Sequence, residues 1–274
     1  MPRSLALFFA AAAARTYPRL VWMVRHRTWL VQETVLPVLG VAALATTYEW
    51  MNAPKEYVGV VVLGAAMTTF WLNVLWSLGA HLYWERDSGN LELYVMAPAP
   101  MMGVLAGMAL GGLATTVVRA AAIFAAGVLL FGVTFRLDDW PLLLLVFALT
   151  LLALYGLGMT FASLFLLFGR EAWHTVNLLQ EPVYLLTGMS FPLSAMKKLA
   201  GAAVPAAALL IPLTAGIDAM RQLLFPSVEG FLPVGWEVAI LAVLGVLFLG
   251  LAKVCLARLE RKARVEGTLG ARWQ

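Results

Sequence analysis

The residues of this 274-residue chain able to do chemistry are few and stand far apart. Its three histidines, His26, His81 and His174, have no metal-ligand spacing. The single cysteine, Cys255, allows no internal disulfide and reads as a small packing residue near the end of an apolar segment. No G-x-S-x-G or H-E-x-x-H occurs. The residues before the five lysines are Pro54, Met196, Lys197, Ala252 and Arg261, so there is no Gly-Lys pair and no phosphate loop. An intramembrane enzyme needs polar catalytic groups clustered at one depth, and none is legible. The expectation is a non-catalytic chain with no catalytic residue, no metal and no cofactor of its own.

One charged island stands out, Trp84-Glu85-Arg86-Asp87-Ser88-Gly89-Asn90-Leu91-Glu92-Leu93-Tyr94-Val95-Met96-Ala97-Pro98-Ala99-Pro100. Glu85, Arg86, Asp87 and Glu92 fall within eight positions, which is too costly a charge density for hydrocarbon. Leu91, Tyr94 and Val95 fall at i, i+3 and i+4 and predict one apolar stripe on a short helix. Gly89 precedes the stripe, and Pro98 and Pro100 end it, because a residue before proline is pushed out of the helical region. An exposed apolar stripe marks an interface, so Glu85, Asp87 and Glu92 read as part of a docking surface, against the plainer reading of a solvated loop.

Other polar residues interrupt apolar runs. Arg119 lies near the middle of the third run; it lines a pathway, pairs with a buried carboxylate or snorkels to the interface. Glu181, beside the kinking Pro182, is a similar case, and an Arg119–Glu181 pair is one arrangement open to it. Asn73 and Asn177 read first as hydrogen bonds between helices and second as substrate contacts.

The elements positioning these residues follow from composition. The chain is 62% hydrophobic and 12% charged, with mean hydropathy +0.86, whereas soluble domains are nearer half apolar and a quarter charged. An all-α integral membrane protein with one transmembrane domain over residues 1–274 is expected. Residues 1–28 predict an amphipathic interfacial helix, with Leu5, Phe8, Phe9, Leu20, Val21 and Trp22 at the lipid boundary and arginines at the headgroups. A cleaved signal peptide is disfavoured, because it would leave Arg15, Arg19, Arg25 and Arg27 outside. Transmembrane helices are expected at 29–48, 57–83, 102–133, 140–168, 172–191 and 233–256. Between the fifth and sixth, Pro192, Pro205 and Pro212 break the apolar sequence into re-entrant half-helices over 192–221. A basic tail, 257–274, ends the chain. The two flanks hold 11 of 19 basic residues, which predicts cytoplasmic termini in a plasma (inner) membrane. Because this charge flanks membrane segments, nucleic acid is not an expected partner. Gly103, Gly107 and Gly111 form a stripe that lets another helix approach closely. Trp22, Trp29, Trp50, Trp84, Trp140 and Trp236 fall near span ends as interfacial anchors.

The order of these features resembles the membrane subunit of ABC-2 type exporters. It runs from a basic N-terminal helix through two spans to Glu85-x-x-x-Gly89-x-Leu91-Glu92-x-x-x-x-x-Pro98, then a Gly-rich third span. The later Leu186-Thr187-Gly188-Met189-Ser190-Phe191-Pro192-Leu193-Ser194, Ile211-Pro212-Leu213-Thr214 and Asp218-x-x-Arg221 are similar to that family's re-entrant region. Each motif alone is weak; their order over the whole chain is specific.

The resemblance implies six spans, an interfacial helix, outer-leaflet half-helices and a dimer with a second copy or a homologous permease. Two separate ATPase subunits would bind ATP and Mg. It places a coupling helix at 85–97 and a minor contact around Gly169–His174, including Arg170 and Glu171. Gly188, Phe191, Pro192, Pro205, Pro212 and Thr214 fall in the re-entrant region. The small Asp138-Asp139 loop departs from relatives with a large extracellular domain. The expected cargo is therefore a lipophilic drug, antibiotic or lipid moved out of the cytoplasm or inner leaflet, with membrane lipids as a further partner of the chain. Alternatives are a polysaccharide or glycolipid exporter of the same family, an ATP-independent secondary carrier and a membrane-embedded enzyme. A carrier would show broken helices in matching halves, whereas here the breaks cluster in the last third.

Overall fold

The structure is a computed structural model that describes residues 2–168 and 172–266. The chain is all-helical, 83% helix with no strand among the described residues. Helices α1 (Pro2–Arg25), α2 (Arg27–Trp50) and α3 (Lys55–Leu72) are followed by a π-helical stretch, Asn73–Gly79. Two short helices come next, α4 (Ala80–Asp87) and α5 (Asn90–Met96), then the long α6 (Met101–Phe131) and α7 (Trp140–Phe168). The last third comprises α8 (Ala172–Leu186), α9 (Leu193–Ala200), α10 (Ala203–Ala208), α11 (Pro212–Leu224) and α12 (Val234–Glu266). Pro54, Pro100 and Pro192 stand before α3, α6 and α9, and Pro212 opens α11, where its missing N–H costs no hydrogen bond.

Among the described residues, five helices are long and apolar enough to cross a membrane: Arg27–Trp50, Lys55–Leu78, Met101–Phe131, Trp140–Ser163 and Val234–Leu259. This is the arrangement of a multi-pass membrane protein. The expected fifth span, 172–191, is shorter as a helix. Its helix ends at Leu186 after 15 described residues, roughly 22 Å against a hydrocarbon thickness of about 30 Å. A turn containing Gly188 at φ +65° follows, so the chain leaves helical geometry five residues earlier than hydropathy suggests. The segment expected over 192–221 forms three short helices, of which α11 runs on to Leu224.

Helix α3 sits at the centre, buried along most of its length from Val58 to Trp71, and α2 at the periphery, where only Val41 and Ala45 are buried. The turn after α8 is pressed onto α3. A Cβ on Gly64 would stand 1.8 Å from the Met189 carbonyl oxygen, so only glycine permits the approach. Tyr48 at the end of α2 donates to the Ser190 carbonyl at 3.0 Å, holding the same turn from the other side.

The N-terminal helix packs closely inside the subunit. It lies along α6, running in the same direction. Gly103 faces Phe8 and Ala11, Gly107 faces Ala12 and Arg15, and Gly111 faces Arg19. Thr16 donates to the Gly107 carbonyl at 3.1 Å. The glycine stripe therefore packs within the subunit. Leu5, Phe9 and Trp22 remain exposed as expected, whereas Arg15 and Arg19 turn inward. Only His26 separates α1 from α2, and hydrogen bonds from His26 N to Trp22 O and from Leu30 N to His26 O continue across it.

Candidate functional site

The charged island forms two helices rather than one spanning 85–97. Glu85 belongs to the end of α4, and the chain turns at Gly89 with φ +78°, a left-handed conformation that glycine adopts without steric cost. Pro98 and Pro100 follow the end of α5 at Met96.

Glu85 is buried, and its described partners, drawn from α1, α4 and α5, form a polar knot around it. The Arg15 guanidinium of α1 ion-pairs with its Oε1. His81, one turn back on α4, lies 3.1 Å from the same oxygen. Asn90 of α5 donates to Oε2 at 2.9 Å, and the Tyr94 hydroxyl also bonds to this carboxylate. Arg15 lies 5.5 Å from the Tyr94 ring centroid, in cation–π range. Arg15 Nη2 also stands 2.9 Å from His81 Nε2, and because a guanidinium only donates, this contact is a hydrogen bond when that nitrogen is unprotonated. One carboxylate thus gathers α1, α4 and α5. It is neither a solvated side chain nor an outward contact.

Burial acts to raise the Glu85 pKa, but the Asn90 hydrogen bond and the charges of Arg15 and His81 outweigh it and hold the carboxyl below its ordinary value. Burial lowers the His81 pKa, with Arg15 and Arg19 adding to the effect against the opposing pull of Glu85. Burial chiefly raises that of the Tyr94 phenol, and Glu85 adds to it. Arg19 is lowered by burial and by Arg15. The knot is built for an ionised Glu85 and a neutral His81.

The apolar stripe also needs correction. Leu91 is 1% exposed and points into the core, and Tyr94 is half-buried against Arg15. Among the described side chains of α5, the outward apolar residues are Leu93, 60% exposed, and Met96, 72% exposed. Helical spacing identified the amphipathic helix but assigned its apolar face to the wrong side, because that face packs inside this chain. Gly89 and Pro98 are exposed. The side chains of Arg86, Asp87, Glu92 and Val95 lie outside what the structure describes, and so do Arg170 and Glu171.

Within the spans, Arg119 pairs with Glu33 of α2 at 2.5 Å, not with Glu181. Its guanidinium stands 5.6 Å from the Trp29 ring centroid. Glu181 is exposed. Glu33 was missed in sequence because it lies only seven residues into α2, among ordinary flanking charges. Asn73, at the start of the π-helical stretch, accepts a hydrogen bond from Tyr155 of α7 at 3.1 Å, the interhelical role expected of it. The side chain of Asn177 lies outside the described residues.

In the last third, Pro192, Pro205, Pro212, Gly188 and Thr214 are buried and Phe191 is half-buried. Asp218 and Arg221 pair at 3.3 Å with neither side chain exposed. Arg221 also donates to the Gly188 carbonyl at 2.5 Å, and Phe231 N–H donates to Asp218 Oδ2 at 2.7 Å. The Asp-x-x-Arg spacing signalled this pair. Nothing in the sequence signalled Glu237 of α12, also fully buried, whose Oε2 accepts from Gln222 at 3.0 Å.

No family model matches the chain, and no curated protein matches it.

Proposed function

We propose that the chain is the transmembrane permease subunit of an ATP-driven exporter of the ABC-2 type. It works as a dimer with separate ATPase subunits that bind ATP and Mg. It moves a lipophilic drug, antibiotic or lipid out of the cytoplasm or inner leaflet. Both termini lie on the cytoplasmic side of the plasma membrane, α8 with the turn after it completes a sixth crossing, and α9 to α11 form the outer re-entrant region.

The observation that carries this reading is the construction of α5. It is anchored from within by Leu91 and by the Glu85 knot, yet presents Leu93 and Met96 outward at the end of a charged connection between spans. An anchored helix with an apolar outer face suits transmission of force from a soluble partner into α1 and α4. The short α6–α7 connection, residues 132–139, supports a lipophilic cargo over a large outer glycan-handling domain.

The test is co-expression with an ATP-binding-cassette ATPase encoded beside this chain. The wild type should co-purify with it, and Leu93→Asp/Met96→Asp should not while remaining folded. Equal recovery from both would reject α5 as the docking element. ATPase activity unchanged across a panel of lipophilic compounds would reject the cargo class.

A further inference from the structure

The Asp218, Arg221 and Glu237 side chains have no solvent exposure, and the transport reading makes no use of Glu237. If all three were ionised, two negative charges and one positive would be sealed together. An uncompensated buried charge costs several kcal/mol even after relaxation. Asp218 is the better-served carboxylate, since Arg221 Nη1 donates to Oδ1 and Phe231 N–H to Oδ2. Glu237 receives one hydrogen bond, from Gln222 to Oε2, while its Oε1 is buried with no donor. Its carboxyl lies within hydrogen-bonding reach of Asp218. Two carboxylates facing one another offer only acceptors and repel. One proton between them turns the repulsion into an O–H···O⁻ bond.

We propose that Glu237 and Asp218 form a proton-binding site, with one proton carried on Glu237 and donated to Asp218, locking the N-terminal end of α12 to α11. The remaining charges then balance as an Asp218–Arg221 ion pair. The lock extends further, because Arg221 also holds the Gly188 turn and Gln222 holds the Leu232 carbonyl. Loss of the proton would leave a bare negative charge in a sealed volume and loosen the join between α11, α12 and that turn.

Few other charges face the pair. Helix α7, packed on both α11 and α12, carries no Asp, Glu, Lys or Arg, and its Tyr155 hydroxyl is bonded to Asn73. From α9, Lys197 stands over the Phe231 ring. Glu229 in the preceding loop and Lys55 and Glu56 at the start of α3 are exposed. The inference does not depend on the transport reading.

The test uses the full chain in lipid nanodiscs. Infrared spectroscopy at neutral pH should show a protonated-carboxyl C=O band, shifted in heavy water, that Glu237→Gln removes. Gln mimics the protonated acid, so Glu237→Gln should match the wild type in melting temperature at about pH 4, where folded and unfolded states are both protonated, and exceed it at neutral pH. The folded state keeps a proton that an unfolded glutamate releases above about pH 4.3. Wild-type stability relative to Glu237→Gln should therefore fall as pH rises, by up to about tenfold in the folded-to-unfolded ratio per pH unit. Absence of the band from the wild type overturns the proposal whether or not the variant folds. A band unchanged in Glu237→Gln, or a variant equally destabilised at every pH, also overturns it.

Discussion

Arg15 of α1 and Glu85 of α4 form an ion pair across 70 positions of sequence. This contact makes the N-terminal helix a brace for the short helices α4 and α5. Its strength is set by unequal burial, since the Glu85 side chain is almost wholly enclosed and Arg15 is about a quarter exposed.

That inequality makes the two truncations unequal. Arg15→Ala leaves a buried carboxylate without its cation and should cost up to about 3 kcal/mol, the lower end for breaking a buried pair. Glu85→Gln leaves Arg15 free to rehydrate and keeps an acceptor for Asn90, so it should cost less. Melting temperatures in detergent check the order. A reversal would mean that Arg15, not Glu85, is the enclosed partner.

The same knot should weaken in acid. Both His81 and Glu85 have pKa values depressed by folding, so their stabilising effect is complete above their ordinary values and is lost as pH falls. The loss begins below about pH 6.5 with His81, whose protonated ring can no longer accept from Arg15, and deepens as Glu85 protonates below about pH 4.3. His81→Gln retains an acceptor without that charge. It should flatten the upper part of the melting-temperature profile between pH 7 and 5. An unchanged profile would remove His81 from the knot.

Leu91 and Leu93 stand two positions apart and should behave as different kinds of residue. Leu91→Asp places a charge in the core and should lower expression and melting temperature sharply, by the equivalent of about 3 kcal/mol or more. Leu93→Asp should leave stability within about 0.5 kcal/mol and act only on partner binding. Parallel melting curves and co-purification separate the two effects.

Arg119 and Glu33 should be coupled. Arg119→Leu or Glu33→Leu alone leaves one charge inside an apolar span, whereas the double substitution removes both. The double variant should recover stability relative to the sum of the singles, with a coupling of about 0.5 to 3 kcal/mol. Strict additivity in a double-mutant cycle would show that the pair contributes nothing. Arg119→Leu with Glu181→Leu should be additive, because those residues do not pair.

Much of the architecture was legible in sequence because it is local. Five of the expected spans coincide with long described helices, and Pro54, Pro100, Pro192 and Pro212 stand at helix starts where ring geometry requires them. Hydropathy misread the fifth span, since an apolar run does not reveal where Gly188 takes positive φ. It also gave no sign that 73–79 would open into a π-helical stretch beside Asn73, Gly112 and Tyr155.

The site was half legible for a related reason. Periodicity finds a helix with two unlike faces, but it does not say which neighbour covers the apolar one. Leu91 and Glu85 meet partners from α1 and the core, so residues taken for an outward surface became its anchor, and Leu93 and Met96 became that surface. By itself, the sequence determined an all-helical membrane chain, the positions of its breaks and a charged helical connection between spans, because solvation and backbone sterics act residue by residue. Only the tertiary structure decided that Arg15 reaches Glu85, that Arg119 chooses Glu33 and that Glu237 meets Asp218. Buried charges select partners by proximity in space, which depends on how helices distant in sequence pack together.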